Sequence, residues 1–120
     1  MDKAYNKILI TGCSGLVGIH LVKKCLEKGY EVIGVDLKYS DNLPKSDNFT
    51  FYELDLTNEE NVKNLFFYEM PDAVLNCFGI KGSPLRAKNF DTWKYNVSVA
   101  NETSDIILIS DYREFQNDDG

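Results

Sequence analysis

A chain of 120 residues, 43% hydrophobic and 27% charged, is long enough for one core and too short for two domains, so residues 1–120 are expected as a single domain. Its net charge of −6, with Lys and Arg scattered, sets aside nucleic acid and anionic membrane surfaces as partners, because neutralising phosphate needs a basic face. No apolar run approaches the roughly 18 residues of a membrane helix, and Met1 to Lys7 lack the apolar segment of a secretory signal. Three cysteines with no paired spacing (Cys13, Cys25 and Cys77) are expected as reduced thiols in a cytoplasm.

The chain opens with Ile8-Leu9-Ile10, a run too short for a helix and bounded by glycine, which reads as a buried strand. Thr11-Gly12-Cys13-Ser14-Gly15-Leu16-Val17-Gly18 follows, and then a helix to about Lys28. That helix carries Leu16, Ile19, Val22 and Leu26, with Val17, Leu21 and Cys25, on one broad apolar face. The glycines sit where strand becomes helix. Gly12 permits the tight turn, Gly15 lets backbone come close to a ligand, and Gly18 lets the helix pack. Such a junction presents unpaired N–H groups at the positive end of a helix dipole, a ready site for a pyrophosphate. Read alone, the loop could be only a turn; its place between strand and helix points to a dinucleotide. His20, early in the helix, has no partner that would make it a ligand or a base.

Glu31 to Asp36 reads as the second strand, with Asp36 about 20 residues beyond the glycines. A carboxylate there accepts hydrogen bonds from ribose hydroxyls and repels a 2′-phosphate, which favours NAD over NADP; a turn or capping role is the plainer alternative. Lys38 nearby works in the other direction. Lys38 to Asn48 is a polar loop, Phe49 to Leu54 a third strand ended by Asp55-Leu56, and Thr57 with Glu60 a capping box. The next helix places Val62, Leu65, Phe66 and Met70 on one face and stops at Pro71. Asp72 to Phe78 is a nearly continuous apolar run, as for a parallel strand buried on both sides.

Gly79 to Arg86 reads as a loop, and from about Asn89 helical spacing returns at Phe90, Trp93, Val97 and Ala100. Asp105 to Ser110 reads as a fifth strand, and residues 111–120 as a polar tail, disordered at its end. Strands alternate with helices throughout. The expected fold is therefore α/β, a Rossmann-like doubly wound parallel sheet of about five strands in three α/β/α layers. Its ligand crevice would lie at the carboxyl ends of the strands, near the Gly loop, Asp36, Asp55, Asn76 and Ser110.

Thr11 to Gly18 resembles the T-G-x-x-G-x-x-G signature of the extended short-chain dehydrogenase/reductases, the NAD-dependent epimerase/dehydratase group, many acting on nucleotide sugars. The resemblance covers about residues 7 to 98. It implies that residues Gly12, Cys13, Ser14, Gly15, Leu16, Val17 and Gly18 hold the cofactor, with amides of residues 13 to 17 on the pyrophosphate. It also implies Asp36 on the adenosine ribose and Asp55-Leu56 beside adenine. Asn76-Cys77-Phe78 is similar to the segment that backs the cofactor, and Trp93 to Val97 resembles the helix segment whose Asn, here Asn96, supports the active site. The loop Gly79 to Pro84 looks like a substrate-side loop of nucleotide-sugar members.

The departures concern chemistry. The family's proton donor is a Tyr four residues before a Lys. Here Tyr5, Tyr30, Tyr39, Tyr52, Tyr68, Tyr95 and Tyr112 are followed at that offset by Leu9, Gly34, Leu43, Leu56, Asp72, Val99 and Gln116. Without a lysine a tyrosine keeps its pKa near ~10 and is a poor acid or base at neutral pH. Ser110 stands where the family places its catalytic Ser or Thr, as a candidate without its partner. The chain therefore reads as the cofactor half of a nucleotide-sugar epimerase or dehydratase, incomplete for catalysis alone. The alternative is a non-enzymatic NAD-sensing or partner-docking module. Self-association or a partner chain is expected, since an absent second half would leave apolar surface exposed.

Overall fold

The computed structural model describes residues 5–56, 58–77 and the backbone of strand 105–108. In chain order the elements are β1 (Lys7–Thr11), α1 (Leu16–Glu27), β2 (Glu31–Asp36), β3 (Phe49–Glu53), α2 (Glu59–Glu69), β4 (Ala73–Asn76) and β5 (Asp105–Leu108). The five strands form one sheet in the order β3-β2-β1-β4-β5, and every neighbouring pair is parallel. The chain builds outward from β1 first on one side and then on the other, so the direction reverses between β1 and β4. The expected doubly wound α/β sheet is present.

The sheet is covered on both faces, and the alternation of side chains along β1 shows how. Ile8 and Ile10 point to one face, where they pack with Val32, Ala73, Cys77 and, from α1, Val22 and Cys25. Leu9 points to the other, with Ile33, Val35 and Val74 against Val62, Leu65 and Phe66 of α2. Each fully buried aliphatic or aromatic side chain contributes roughly 1.5–3 kcal/mol. Gly34 keeps the α1 face open for its neighbours. A β-carbon there would lie 2.8 Å from both the Cys13 sulfur and the Phe49 ring.

Both helices end on backbone turns, and they begin differently. Beyond α1, Gly29 takes φ 91° and its N–H donates to the Leu26 carbonyl, while the Tyr30 N–H donates to Cys25. This paired closure needs a residue tolerant of positive φ. α2 is capped by Asn58, whose side-chain oxygen accepts from the Asn61 N–H at 3.0 Å. The capping box expected from Thr57 and Glu60 is thus displaced by one residue, Asn being at least as good a cap as Thr; Thr57 itself lies outside the described residues. At the other end Met70 does not extend the apolar face. It takes φ 45° as the left-handed cap and is half exposed.

The buried residue at that end is Glu69, only 7% exposed. Its carboxylate accepts from Lys7 Nζ at 3.1 Å and from the Tyr52 hydroxyl, and Lys7 Nζ also donates to the Glu69 carbonyl at 3.0 Å. A buried carboxylate is tolerated only when paired in this way. Burial first, and then the Glu69 carboxylate, push the Tyr52 hydroxyl up to about 12. Asp72 serves the same end of the sheet, its carboxylate accepting from the Asn6 and Lys7 N–H groups at 2.8 Å each.

Cys13 and Cys77 lie in the α1-side core as free thiols. Burial, followed by the nearby Asp36 carboxylate, raises both from the ordinary 9.0 to about 12. Neither is a nucleophile at neutral pH. In the folded state these thiols keep protons that the unfolded chain has released above pH 9, so stability is complete below that value and falls as pH rises toward 12. Chemical denaturation at pH 8 and pH 10.5 should show this loss, and it should shrink in the Cys13→Ala and Cys77→Ala variants. An equal loss in all three proteins would refute it.

Candidate functional site

The site is built where β1 leaves the sheet. Gly12 has φ 65°, and the turn it makes is closed by the Gly15 N–H on the Gly12 carbonyl at 3.1 Å. α1 then returns across the end of the strand. A β-carbon on Gly18 would sit 2.2 Å from the Gly12 carbonyl oxygen and 2.7 Å from the Cys13 Cα, so only glycine fits. Gly15 is different. Its backbone is extended (φ −77°, ψ 170°), and among the described residues an added β-carbon would meet only the Gly12 oxygen, at an ordinary 3.4 Å. The fold requires Gly12 and Gly18 but not Gly15, which is the expected mark of a position that a ligand approaches.

The N-terminus of α1 is bare. Gly15, its cap, offers no side chain, and the first turn carries no acidic residue. α2, by contrast, has the Asn58 cap and both Glu59 and Glu60 in its first turn. In the loop, Cys13 N–H donates to the Val35 carbonyl (3.3 Å), Ser14 N–H to Asp36 Oδ2 (2.9 Å) and Gly15 N–H to Gly12. Of the amides 13 to 17 expected to face a pyrophosphate, the first three are therefore engaged within the chain. Among the described residues those of Leu16 and Val17 meet no acceptor, as the first amides of an uncapped helix must not. Their side chains are also outward, Leu16 at 89% and Val17 at 41% exposure, and not on the core face of α1 where the apolar spacing puts them. Of the first turn only Gly18 is buried, against the Gly12 and Cys13 backbone; Val22 and Cys25, further along, are the buried side chains of α1.

Asp36 closes the opposite wall. One carboxylate oxygen holds the Ser14 N–H and the other the Leu37 N–H at 2.6 Å, while the Asp36 carbonyl accepts from Leu54 N–H at 3.0 Å. The Ser14 hydroxyl donates to the Lys38 carbonyl at 2.6 Å, and the Lys38 side chain is exposed. Thus the Gly loop, Asp36 and the start of the segment after β3 are tied into one wall. Across β1, the Thr11 hydroxyl donates to Asn76 Oδ1 at 2.5 Å and accepts from the Cys77 N–H at 3.2 Å. Asn76 is 3% exposed and belongs to the support of the site.

The remaining expected residues divide. Asp55 is exposed, and its carbonyl accepts from Asn58 N–H and Asn61 Nδ2. Leu56, Cys13 and Cys77 have buried side chains, so only their main chains can face a ligand. Phe78, Asn96 and Ser110 lie outside the described residues. Two contributors were not anticipated: Thr11, legible in hindsight because it stands opposite Asn76 in the parallel register, and the Ser14 hydroxyl, which leaves no sequence signal. The described residues hold no group of three potential metal ligands, and no helix among them is long and apolar enough to cross a membrane. Chemically, this wall offers amide donors to an anion and carboxylate oxygens to hydroxyls.

Comparison with known proteins agrees with this geometry. Residues 8–115 match the family model described as NAD dependent epimerase/dehydratase family. Protein CapI of Staphylococcus aureus is 40% identical over 97 residues, which cover 72% of this chain and 29% of that protein. UDP-glucuronate 4-epimerase of Thermodesulfobacterium geofontis is 34% identical over 98 residues, 72% of this chain and 30% of the enzyme. Among solved structures, the Bordetella bronchiseptica enzyme WbmH in complex with NAD+ superposes with a TM-score of 0.66 at 27% identity, over 79% of this chain and 34% of that one. The chain thus spans about a third or less of the length of these proteins. With the family pattern running through nearly all of its sequence, the chain belongs to the NAD-dependent epimerase/dehydratase family.

Proposed function

We propose that this chain is the NAD-binding part, a single domain, of a nucleotide-sugar epimerase or dehydratase. The observation that carries the reading is the bare N-terminus of α1 beside a Gly15 that the fold itself does not require. A pyrophosphate fits there: the amides of Leu16 and Val17 donate to its oxygens, and the space a Gly15 side chain would fill admits it. Asp36 accepts the adenosine ribose hydroxyls with lone pairs left over from its two amide bonds, and its charge opposes a 2′-phosphate. Exposed Asp55 stands beside adenine, with the main chain of Leu56; Asn76, Cys77 and Phe78 back the cofactor. Asn96 supports the reacting end, and Ser110 is the candidate for contact with substrate. The NAD+ bound by the Bordetella enzyme supports the cofactor, and the UDP-glucuronate 4-epimerase supports the substrate class.

Bound NAD supplies hydride transfer with a sugar carbon. This chain's residues bind and orient; none of its tyrosines has a lysine four residues on, so it does not turn over sugar alone. The three free thiols fit a reducing cytoplasm. Calorimetric titration of the chain should give NAD binding with NADP weaker. Gly15→Val should remove NAD binding while costing only about 1 kcal/mol of stability, the loss of a glycine cap. A Gly15→Val variant that binds NAD like the wild type would sink the proposal.

A second reading, a partner-docking module, is favoured by Phe67 and Tyr68 of α2, exposed at 78% and 79%. It predicts self-association or a complex with a partner chain. Light scattering that shows a monomer at micromolar concentration, with no complex recovered, would remove it.

A further inference from the structure

Ser14 is bonded twice to the exit of β2. Its amide donates to Asp36 Oδ2 at 2.9 Å and its hydroxyl to the Lys38 carbonyl at 2.6 Å, while the Leu37 amide holds Asp36 Oδ1. The segment 36–38 is therefore folded back on the Gly loop, and what it directs at that loop is a carboxylate and a carbonyl. Both are acceptors. Ribose hydroxyls can donate to such a wall, and a 2′-phosphate is repelled by it. Lys38 is the one cation within two residues of Asp36, and its exposed side chain extends from the residue whose carbonyl Ser14 holds.

Resting on the NAD reading above, we propose that Ser14 is a positioning residue for cofactor selectivity. Its hydroxyl fixes the Lys38 backbone so that the wall presents oxygen acceptors and keeps the ammonium away from the ribose. Without the hydroxyl the turn after Asp36 loosens, and the ammonium swings in to meet a 2′-phosphate. The chain's choice between NAD and NADP is thus set by a residue of the glycine loop as well as by Asp36. Ser14 is only partly buried and its hydrogen bond to Asp36 is made by the backbone N–H, which alanine keeps, so Ser14→Ala removes the hydroxyl and leaves the fold in place.

The test is titration of NAD and of NADP into the wild-type chain, Ser14→Ala, Ser14→Thr and the double variant Ser14→Ala/Lys38→Met. The wild type should prefer NAD. Ser14→Ala should narrow that preference about fivefold, the equivalent of one lost hydrogen bond, with NAD weaker and NADP tighter. Ser14→Thr should retain the wild-type preference, and removing the ammonium in the double variant should restore it. A purely structural role would weaken both dinucleotides equally. That result, or a wild-type ratio in Ser14→Ala, overturns the proposal while leaving NAD binding intact; a wild type that binds neither dinucleotide overturns the NAD reading and this proposal with it.

Discussion

A β-carbon on Gly18 would lie 2.2 Å from the Gly12 carbonyl, so helix α1 crosses the end of β1 this closely only because Gly18 is glycine, while Gly12 takes the φ of 65° that turns the chain. That close crossing has three consequences. It brings the first turn of α1 to the carboxyl end of the central strand, beside the point where strand order reverses. It turns the Ser14 amide toward Asp36 at the tip of β2. And it leaves the Leu16 and Val17 amides without a capping side chain, a first-turn carboxylate or any acceptor among the described residues. Among the described residues nothing opposes the helix dipole there, and such a terminus favours an anion.

The two ends of the sheet are treated in opposite ways. At the amino end the polar groups are answered within the chain: Lys7 by Glu69, the Asn6 and Lys7 amides by Asp72, and the Glu69 carboxylate also by Tyr52. Removing Lys7 would leave a buried carboxylate without its cation, an error of several kcal/mol in such pairs. At the carboxyl end the Leu16 and Val17 amides have no acceptor among the described residues. Asp36 belongs to both descriptions. It holds the loop through the Ser14 amide and still carries lone pairs for an incoming hydroxyl, so the turn role and the ligand role weighed for it from sequence are compatible.

What could be read from the sequence was whatever backbone geometry imposes on residue type. Glu31–Asp36 is the observed β2 to the residue, because a β-branched run bounded by Gly29 and a polar loop has one solution. The roles of Gly12 and Gly18 were legible for the same reason: a positive φ and a backbone contact admit little else. The misreadings fall where periodicity stops carrying information. Leu16 and Val17 continue the apolar spacing of α1, yet they stay exposed, since periodicity records direction and not what stands opposite. Met70 fits the α2 face by spacing, but the helix has already ended, and a buried Glu69 is intelligible only once Lys7 arrives from 62 residues away. The Ser14 hydroxyl finds its acceptor 24 residues on, beyond any local rule.

The proposed anion site is the uncapped start of α1. The most direct test is to follow backbone amide resonances of 15N-labelled chain during titration with NAD. The largest shifts are expected at Leu16, Val17 and Gly18, with a second group at Ser14, Asp36 and Leu37, while the amides around Asn58 at the capped start of α2 stay still. Saturable binding with Leu16 and Val17 unmoved, or with shifts centred on α2, would contradict it.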